Sequence, residues 1–181
     1  MNVIQCIVDL ESGSDRPLSL FIHTRADSSE TTEYFDDMFS ATNFRGKSVN
    51  VYAQYRHYPV ITQFDLHLEM INGLSSLFFM NDNGLFGEGA AKFAALSEYV
   101  IIDAQHRAYG LDGKTFLLIL KTAFNRLKPG TSLVITDFER MSNYYHPQPC
   151  LATMLRLSLG DSVHFSTVHF ENSEICILTK K

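Results

Sequence analysis

The sequence predicts a single α/β domain built around a mostly parallel sheet with helices on both faces. From about Ser48 onward, short apolar runs alternate with segments of helical spacing, the pattern of strand–helix–strand units with right-handed crossovers. Ser132–Thr136 is apolar almost without interruption, as expected of a strand inside a covered parallel sheet. The chain then closes with two strand-like runs, Ser162–Phe170 and Ile175–Thr179, around Glu171-Asn172-Ser173-Glu174, which reads as an antiparallel hairpin at one edge. A length of 181 residues suits one domain and allows roughly two-thirds of the unfolded surface to be buried.

The elements follow in order. Asn2–Arg25 reads as an additional N-terminal β-hairpin: Val3–Val8 is rich in β-branched residues, Glu11–Arg16 is polar turn material, and Leu18–His23 is a second apolar run. Pro17 opens that second run, which suits an edge position. Ser28 and Ser29, followed by acids, suit a helix N-terminus, and Phe35, Met38 and Phe39 give that helix an apolar face. Ser48–Tyr55 alternates Val49, Val51 and Ala53 with polar residues, as a half-buried strand does. Val60–Phe64 is a further strand candidate, Leu66–Leu74 carries a helix-like stripe, and Leu77–Met80 is a short buried strand. Ala90–Leu96 is helical and Tyr99–Ile102 is an apolar strand. Asp112–Leu127 sets Phe116, Leu120, Ala123, Phe124 and Leu127 on one helical face. Leu117, Leu118 and Ile119 widen that stripe until the first half is expected to be buried nearly all round. Lys128-Pro129-Gly130 ends the helix, since proline cannot continue it and glycine suits the reversal. Cys150–Leu159 is a short helix closed by Gly160.

Composition excludes several classes. With 45% hydrophobic and 19% charged residues the chain is not a disordered one. A net charge of −5 and no Lys/Arg-rich run argue against binding nucleic acid through its backbone. The three cysteines, Cys6, Cys150 and Cys176, are an odd number at wide spacing with no metal-ligand pattern, which predicts reduced thiols and a cytoplasmic location. No run reaches the ~20 apolar residues of a membrane helix, so no membrane partner is expected. His164 and His169 lie five apart along one strand, hence on opposite faces, and do not form a metal pair.

From Glu98 to Phe138, EYVIIDAQHRAYGLDGKTFLLILKTAFNRLKPGTSLVITDF resembles the second half of a class I S-adenosylmethionine-dependent methyltransferase. Arg126-Leu127-Lys128-Pro129-Gly130-Thr131 is closest to the family's helix ending before strand five, with Thr131 where a second glycine is usual. The tail SVHFSTVHFENSEICILTKK resembles the family's antiparallel strands six and seven. Upstream, TTEYFDDMFSATNFRGK looks like the helix before strand one, Ser48–Tyr55 like strand one, and VITQFDLHLEMI like strand two with its terminal acid. The resemblance spans Thr32–Lys181 and implies one Rossmann-like domain over residues 1–181, with 1–27 as a hairpin extension to the core. It departs from the family where the cofactor motif belongs: the corresponding stretch, Val51-Tyr52-Ala53-Gln54-Tyr55-Arg56-His57-Tyr58-Pro59, has no glycine. Only Tyr55–Pro59 then separate two strands whose parallel crossover needs a dozen or more residues, so the two are antiparallel, or form one bent strand, or do not align with the family there.

The resemblance implies S-adenosylmethionine as cofactor, held outside the carboxyl ends of the parallel strands. Gln54, Tyr55, Asp65, Asn81, Asp82, Gln105 and His106 fall there. Asp65 would take the ribose hydroxyls and Asp82 the adenine amino group, while His106 is the candidate base or substrate contact. The competing readings are ordinary ones: Asp65 as a helix cap, Asp82 as a turn residue in Asn-Asp-Asn-Gly, and His106 as a solvated loop histidine. Tyr52, Tyr55, Arg56, His57 and Tyr58 form an aromatic-basic cluster, either a stacking surface or an edge strand with amphipathic aromatics.

Three functions follow. The first is a methyltransferase with a divergent cofactor site, acting on a small-molecule or protein acceptor. The second is a catalytically inactive interaction or assembly module of the same fold, its dimer surface supplied by the N-terminal hairpin and an antiparallel Ser48–Phe64 unit. The third is a regulatory domain resembling the sulfate-transporter/anti-sigma-antagonist family, which Asp112-Gly113-Lys114-Thr115 fits poorly.

Overall fold

A computed structural model of the chain describes residues 2–24, 37–55, 74–80, 88–102, 113–136, 151–170 and 173–181. Seven strands, β1 (Leu18–Thr24), β2 (Val49–Tyr55), β3 (Leu74–Met80), β4 (Tyr99–Ile102), β5 (Ser132–Ile135), β6 (Val163–Phe170) and β7 (Ser173–Lys180), form one sheet in the order β3-β2-β1-β4-β5-β7-β6. β1 pairs in parallel with both β2 and β4, β2 with β3, and β4 with β5. β7 runs antiparallel between β5 and β6. The predicted class is thus the observed one: a mostly parallel sheet ending in an antiparallel C-terminal hairpin.

The helices are α1 (Val3–Leu10), α2 (Glu88–Leu96), α3 (Gly113–Arg126) and α4 (Leu151–Leu159). Strand alternation divides the core in two. On one face Phe21, Val100, Ile102, Leu133, Ile135, Cys176 and Leu178 pack beneath α2, α3 and α4, chiefly against Leu120, Ala123, Phe124, Leu127 and Leu155. On the other, Leu20, Ile22, Val49, Val51, Ala53, Ile101, Val134 and Ile177 pack beneath α1 and residues 38–44.

The N-terminal hairpin is not formed. Val3–Val8 is helical, because Val3, Ile4, Ile7 and Val8 fall one turn apart and a sheet face is present to bury them. β-branched propensity loses to that burial. Asn2 caps the helix, accepting from the Gln5 N–H at 3.2 Å, and its amide donates to the Met38 carbonyl at 2.8 Å and to Thr42 Oγ1 at 2.6 Å. On the polar side Gln5 Oε1 accepts from the Asn43 N–H at 2.7 Å. Leu18–Thr24, expected at an edge, is instead the central strand: Pro17 precedes it, and Leu18 N–H, the first available donor, reaches the Ser48 carbonyl at 2.9 Å.

This shifts the strand assignment by one. Leu18–Thr24 occupies the place the resemblance gave to Ser48–Tyr55, and the segment 32–47 lies between β1 and β2 rather than before the first strand. The crowding after Tyr55 disappears as well, since the next described strand along the chain is β3 and residues 56–73 are available to cross over. β2 is interior, flanked by β1 and β3, so the edge-strand reading of Tyr52 fails. Tyr52 packs on Phe93 of α2 with ring centroids 4.9 Å apart. Val60–Phe64 and 66–73 lie outside the described residues.

Tyr99–Ile102, α3 and β5 match their predicted bounds to within a residue or two. The first half of α3 is less enclosed than its composition suggests. Leu118 is 63% exposed, because the helix lies on one face of the sheet and Leu118 points away from the side carrying Leu120. Its end is held firmly. Gly130 takes φ +85°, the left-handed turn that glycine adopts without strain, and its N–H donates to the Lys180 carbonyl at 2.8 Å. Lys180 Nζ reaches back to the carbonyls of Asn125 at 2.8 Å and Leu127 at 2.7 Å.

Candidate ligand site at the carboxyl ends of the strands

The two ends of the parallel strands differ sharply. At the amino ends polar groups satisfy one another. The Glu98 carboxylate accepts from the Ser19 N–H at 3.3 Å, and Glu98 N–H donates to the Ser19 carbonyl at 2.9 Å. The Ser132 N–H donates to the Glu98 carbonyl at 3.0 Å. Tyr99 Oη donates to the Glu11 carboxylate at 2.5 Å, and Lys47 Nζ donates to the carbonyls of Glu11 and Ser14. Burial and the Glu11 carboxylate push the Tyr99 hydroxyl well above its ordinary pKa, so it stays protonated. This end is closed by its own side chains.

At the carboxyl ends, β1 finishes at His23 and Thr24, β2 at Gln54 and Tyr55, β3 at Met80, β4 at Ile102 and β5 at Ile135. The chain proceeds from β1 outward through β2 to β3, whereas β4 and β5 extend the sheet in the opposite direction. The reversal falls between β1 and β4, and the crevice outside such a point is where open α/β sheets bind ligands. His23 stands at that place, in register with Gln54 on one side and Ile102 on the other, and is only 6% exposed. Thr136, also buried, extends β5 by donating its N–H to the Ile102 carbonyl at 3.1 Å.

Of the residues the sequence nominates, the structure describes the backbone of Gln54 and Tyr55, which lie at this end of β2. Asp65, Asn81, Asp82, Gln105 and His106 lie outside the described residues. Asn81 and Asp82 directly follow Met80, the last residue of β3, and Gln105 and His106 come three and four positions after Ile102 of β4. Asp65 comes ten positions after Tyr55 rather than at the strand end. His23 and Thr24 are what sequence reasoning missed: with Leu18–His23 taken for a hairpin arm, its last residues had no reason to be near a site. The one local hint, the short apolar run Leu20-Phe21-Ile22 before His23, fits a hairpin arm equally well.

The shifted assignment leaves the glycine question unchanged in outcome. After β1 the chain reads Arg25-Ala26-Asp27-Ser28-Ser29, and the first glycine beyond Thr24 is Gly46, three residues before β2. Among the described residues no group of histidine, cysteine and acidic side chains could hold a metal ion, and no helix is long and apolar enough to cross a membrane.

No protein-family profile and no curated protein sequence matches the chain. Solved structures do. An O-methyltransferase family protein from Burkholderia thailandensis is 13% identical over 99% of this chain, with a TM-score of 0.54. This chain spans 56% of that protein's length. A methyltransferase from Pyrococcus furiosus is 14% identical over 99% of this chain and 82% of its own, also with a TM-score of 0.54. Fibrillarin from Aeropyrum pernix, determined with natively bound S-adenosyl-L-methionine, is 9% identical over 96% of this chain and 74% of its own, with a TM-score of 0.53. At such identities the likeness is one of architecture. The strand order and these neighbours together give the chain the fold of the class I S-adenosylmethionine-dependent methyltransferases.

Proposed function

We propose that this protein binds S-adenosylmethionine across the β1/β4 crevice, in a site that departs from the glycine-rich form, and transfers its methyl group to a small-molecule or protein acceptor. The observation that carries this reading is the convergence of the parallel strands' carboxyl ends on a reversal point where His23 lies between Gln54 and Ile102. The sheet frame fits the cofactor. Gln54, Asn81, Asp82 and Gln105 are polar residues at or just past three strand ends, suited to the ribose hydroxyls and the adenine amino group. Asp65, ten positions after Tyr55 in the sequence, is a further ribose candidate. The cofactor supplies a methyl group already activated on a sulfonium. The chain's task is therefore alignment and electrostatics, with little proton transfer required. His106 is the candidate contact for the acceptor. The buried free thiols of Cys6 and Cys176 are consistent with a reducing, cytoplasmic setting.

Thermal shift with S-adenosylmethionine and S-adenosylhomocysteine tests this reading. At a hundredfold excess over the dissociation constant, binding stabilises the native state by about 2.7 kcal/mol, which for a domain of this size raises Tm by about 5–10 °C. Asp82→Ala and Asp65→Ala are each expected to reduce the shift. No shift with millimolar ligand would overturn the proposal, and a shift unaltered in both variants would place the ligand elsewhere.

One specific observation favours the second reading, a catalytically inactive member of the fold. The absence of glycine from Arg25 to Arg45 removes the turn that lets backbone approach a ligand closely. That reading predicts no shift with either ligand.

A further inference from the structure

α1 is eight residues long, shorter than a helix that holds in water by itself, so its stability comes from what it touches. Val3, Ile4, Ile7 and Val8 share one buried cluster with Met38, Phe39 and Phe44, from the segment that leads into β2. Polar contacts run from α1 and the turn after it to the same segment. Besides the ties from Asn2 to Met38 and Thr42, the Thr42 hydroxyl donates to the Met38 carbonyl at 2.7 Å. Gln5 pairs with Asn43 in both directions, Oε1 accepting from the Asn43 N–H at 2.7 Å and Nε2 donating to the Asn43 carbonyl at 3.3 Å. The Arg45 guanidinium lies 3.2 Å from the Asp9 carboxylate, and Lys47 Nζ donates to the carbonyls of Glu11, at 2.6 Å, and Ser14. Between these ties the backbone is strained: Arg45 takes φ +55°, in the left-handed region. Asn43 Oδ1 steadies the turn by accepting from the Arg45 N–H at 3.0 Å. A residue with a side chain persists in that conformation where its surroundings over-determine it, and here α1 supplies them through Gln5, Asp9 and Glu11.

We propose that α1 and residues 37–47 form a latch, which opens from the sheet as one cooperative unit while α2, α3 and α4 keep the opposite face covered. Each half depends on the other. Without α1, the turn at Arg45 keeps its strain and loses the contacts that hold it. Without 37–47, α1 loses the partners of Asn2, Gln5 and Asp9 together with Met38, Phe39 and Phe44 from its apolar cluster. Opening one half alone therefore sacrifices the contacts between them and gains only part of the freedom, which is what makes a region open as a unit. The unit lies on the face of Leu20, Ile22, Val49 and Val51, whereas Phe21, Val100, Ile102 and Leu133 stay packed on the other side. The latch also fixes where the connection that leaves β1 after His23 and Thr24 returns to the sheet at Val49. It operates whatever ligand the crevice takes.

Native-state hydrogen exchange on the full chain tests the latch. The amides of Cys6 and Glu11 report on α1, and those of Ala41, Thr42 and Lys47 on the segment, since each is hydrogen-bonded within its own half. The two sets are expected to share one opening equilibrium, larger by about tenfold or more than that of α3 and β4. Thr42→Val deletes a hydroxyl in the segment and leaves the residues of α1 unchanged, so faster exchange at Cys6 and Glu11, by about threefold to tenfold, is the signature of coupling. Arg45→Gly relieves the left-handed strain and guards against a folding defect in the valine variant. It is expected to slow exchange in both halves by about threefold to tenfold. Either variant changing exchange in its own half alone, or α1 amides that exchange only as slowly as those of α3, overturns the proposal.

Discussion

Replacing Lys180 with methionine removes an ammonium group while keeping an unbranched stem of similar length. Lys180 Nζ donates to the Asn125 carbonyl at 2.8 Å and the Leu127 carbonyl at 2.7 Å, with the Phe124 carbonyl at 3.4 Å. These carbonyls lie at or just past the C-terminal end of α3, where the helix has no partners of its own to offer. The charge also sits at the negative end of the helix dipole and 5.7 Å from the Phe124 ring centroid. A hydrogen bond from a charged donor contributes about 1.5–3 kcal/mol, and a cation at a helix C-terminus about 0.3–1 kcal/mol. The terms share one ammonium and do not add, and Lys180 is only half-buried, so water can replace part of what is lost. We therefore expect Lys180→Met to cost about 2 kcal/mol. That corresponds to a fall in Tm of about 4–8 °C for a domain of this size. Urea unfolding is the assay: the midpoint should fall with an unchanged m-value, and Lys180→Arg should recover part of the loss. A cost below about 0.5 kcal/mol would refute the argument that this contact fixes the end of α3.

Phe124→Ala removes a fully buried ring from the face beneath α3 and should cost about 3–5 kcal/mol in denaturant unfolding. Gly130→Ala meets open space around its added methyl group, so its cost is purely that of the left-handed backbone, about 1–2 kcal/mol by the same assay. Stability should fall at alkaline pH. Burial holds the Cys176 and Cys6 thiols and the Tyr99 hydroxyl above their ordinary pKa values, so the unfolded chain loses protons that the native state keeps. Their contribution is intact below about pH 8.5 and declines above it, by about 1.4 kcal/mol per pH unit for a fully buried thiol. Denaturation across pH 7–11 should show this limb, and Cys176→Ala should make it shallower; an unchanged slope would contradict the assignment.

The second half of the molecule was legible because local signals there agree with tertiary ones. Asp112–Leu127 has one apolar stripe, Lys128-Pro129-Gly130 has a single structural use, and the terminal hairpin has two strand-like runs around a polar turn. The first quarter was misread because its signals conflict. Val3, Ile4, Ile7 and Val8 satisfy a strand by residue type and a helix by spacing, and only the presence of a sheet face to cover decides between them. Taking Val3–Val8 as a strand made Leu18–His23 its hairpin partner, which hid β1 and gave its place to Ser48–Tyr55, while strands four to seven kept theirs. The carboxyl ends proposed to carry the site stood out in spite of this, since β4 and β5 were correctly read. His23 did not, because nothing local distinguishes a histidine ending a central strand from one ending a hairpin arm.

The central position of β1 has a consequence for how the chain reaches its native state during synthesis. β1 leaves the ribosome well ahead of one of its two pairing partners, β4, which begins some eighty residues later at Tyr99. Until then Leu20, Phe21 and Ile22 lie along an open edge, and contacts so distant in sequence close slowly. A nascent chain arrested short of Tyr99 would therefore be a sticky fragment, since α1 lies on the face that carries Leu20 and Ile22 and not on the one that carries Phe21.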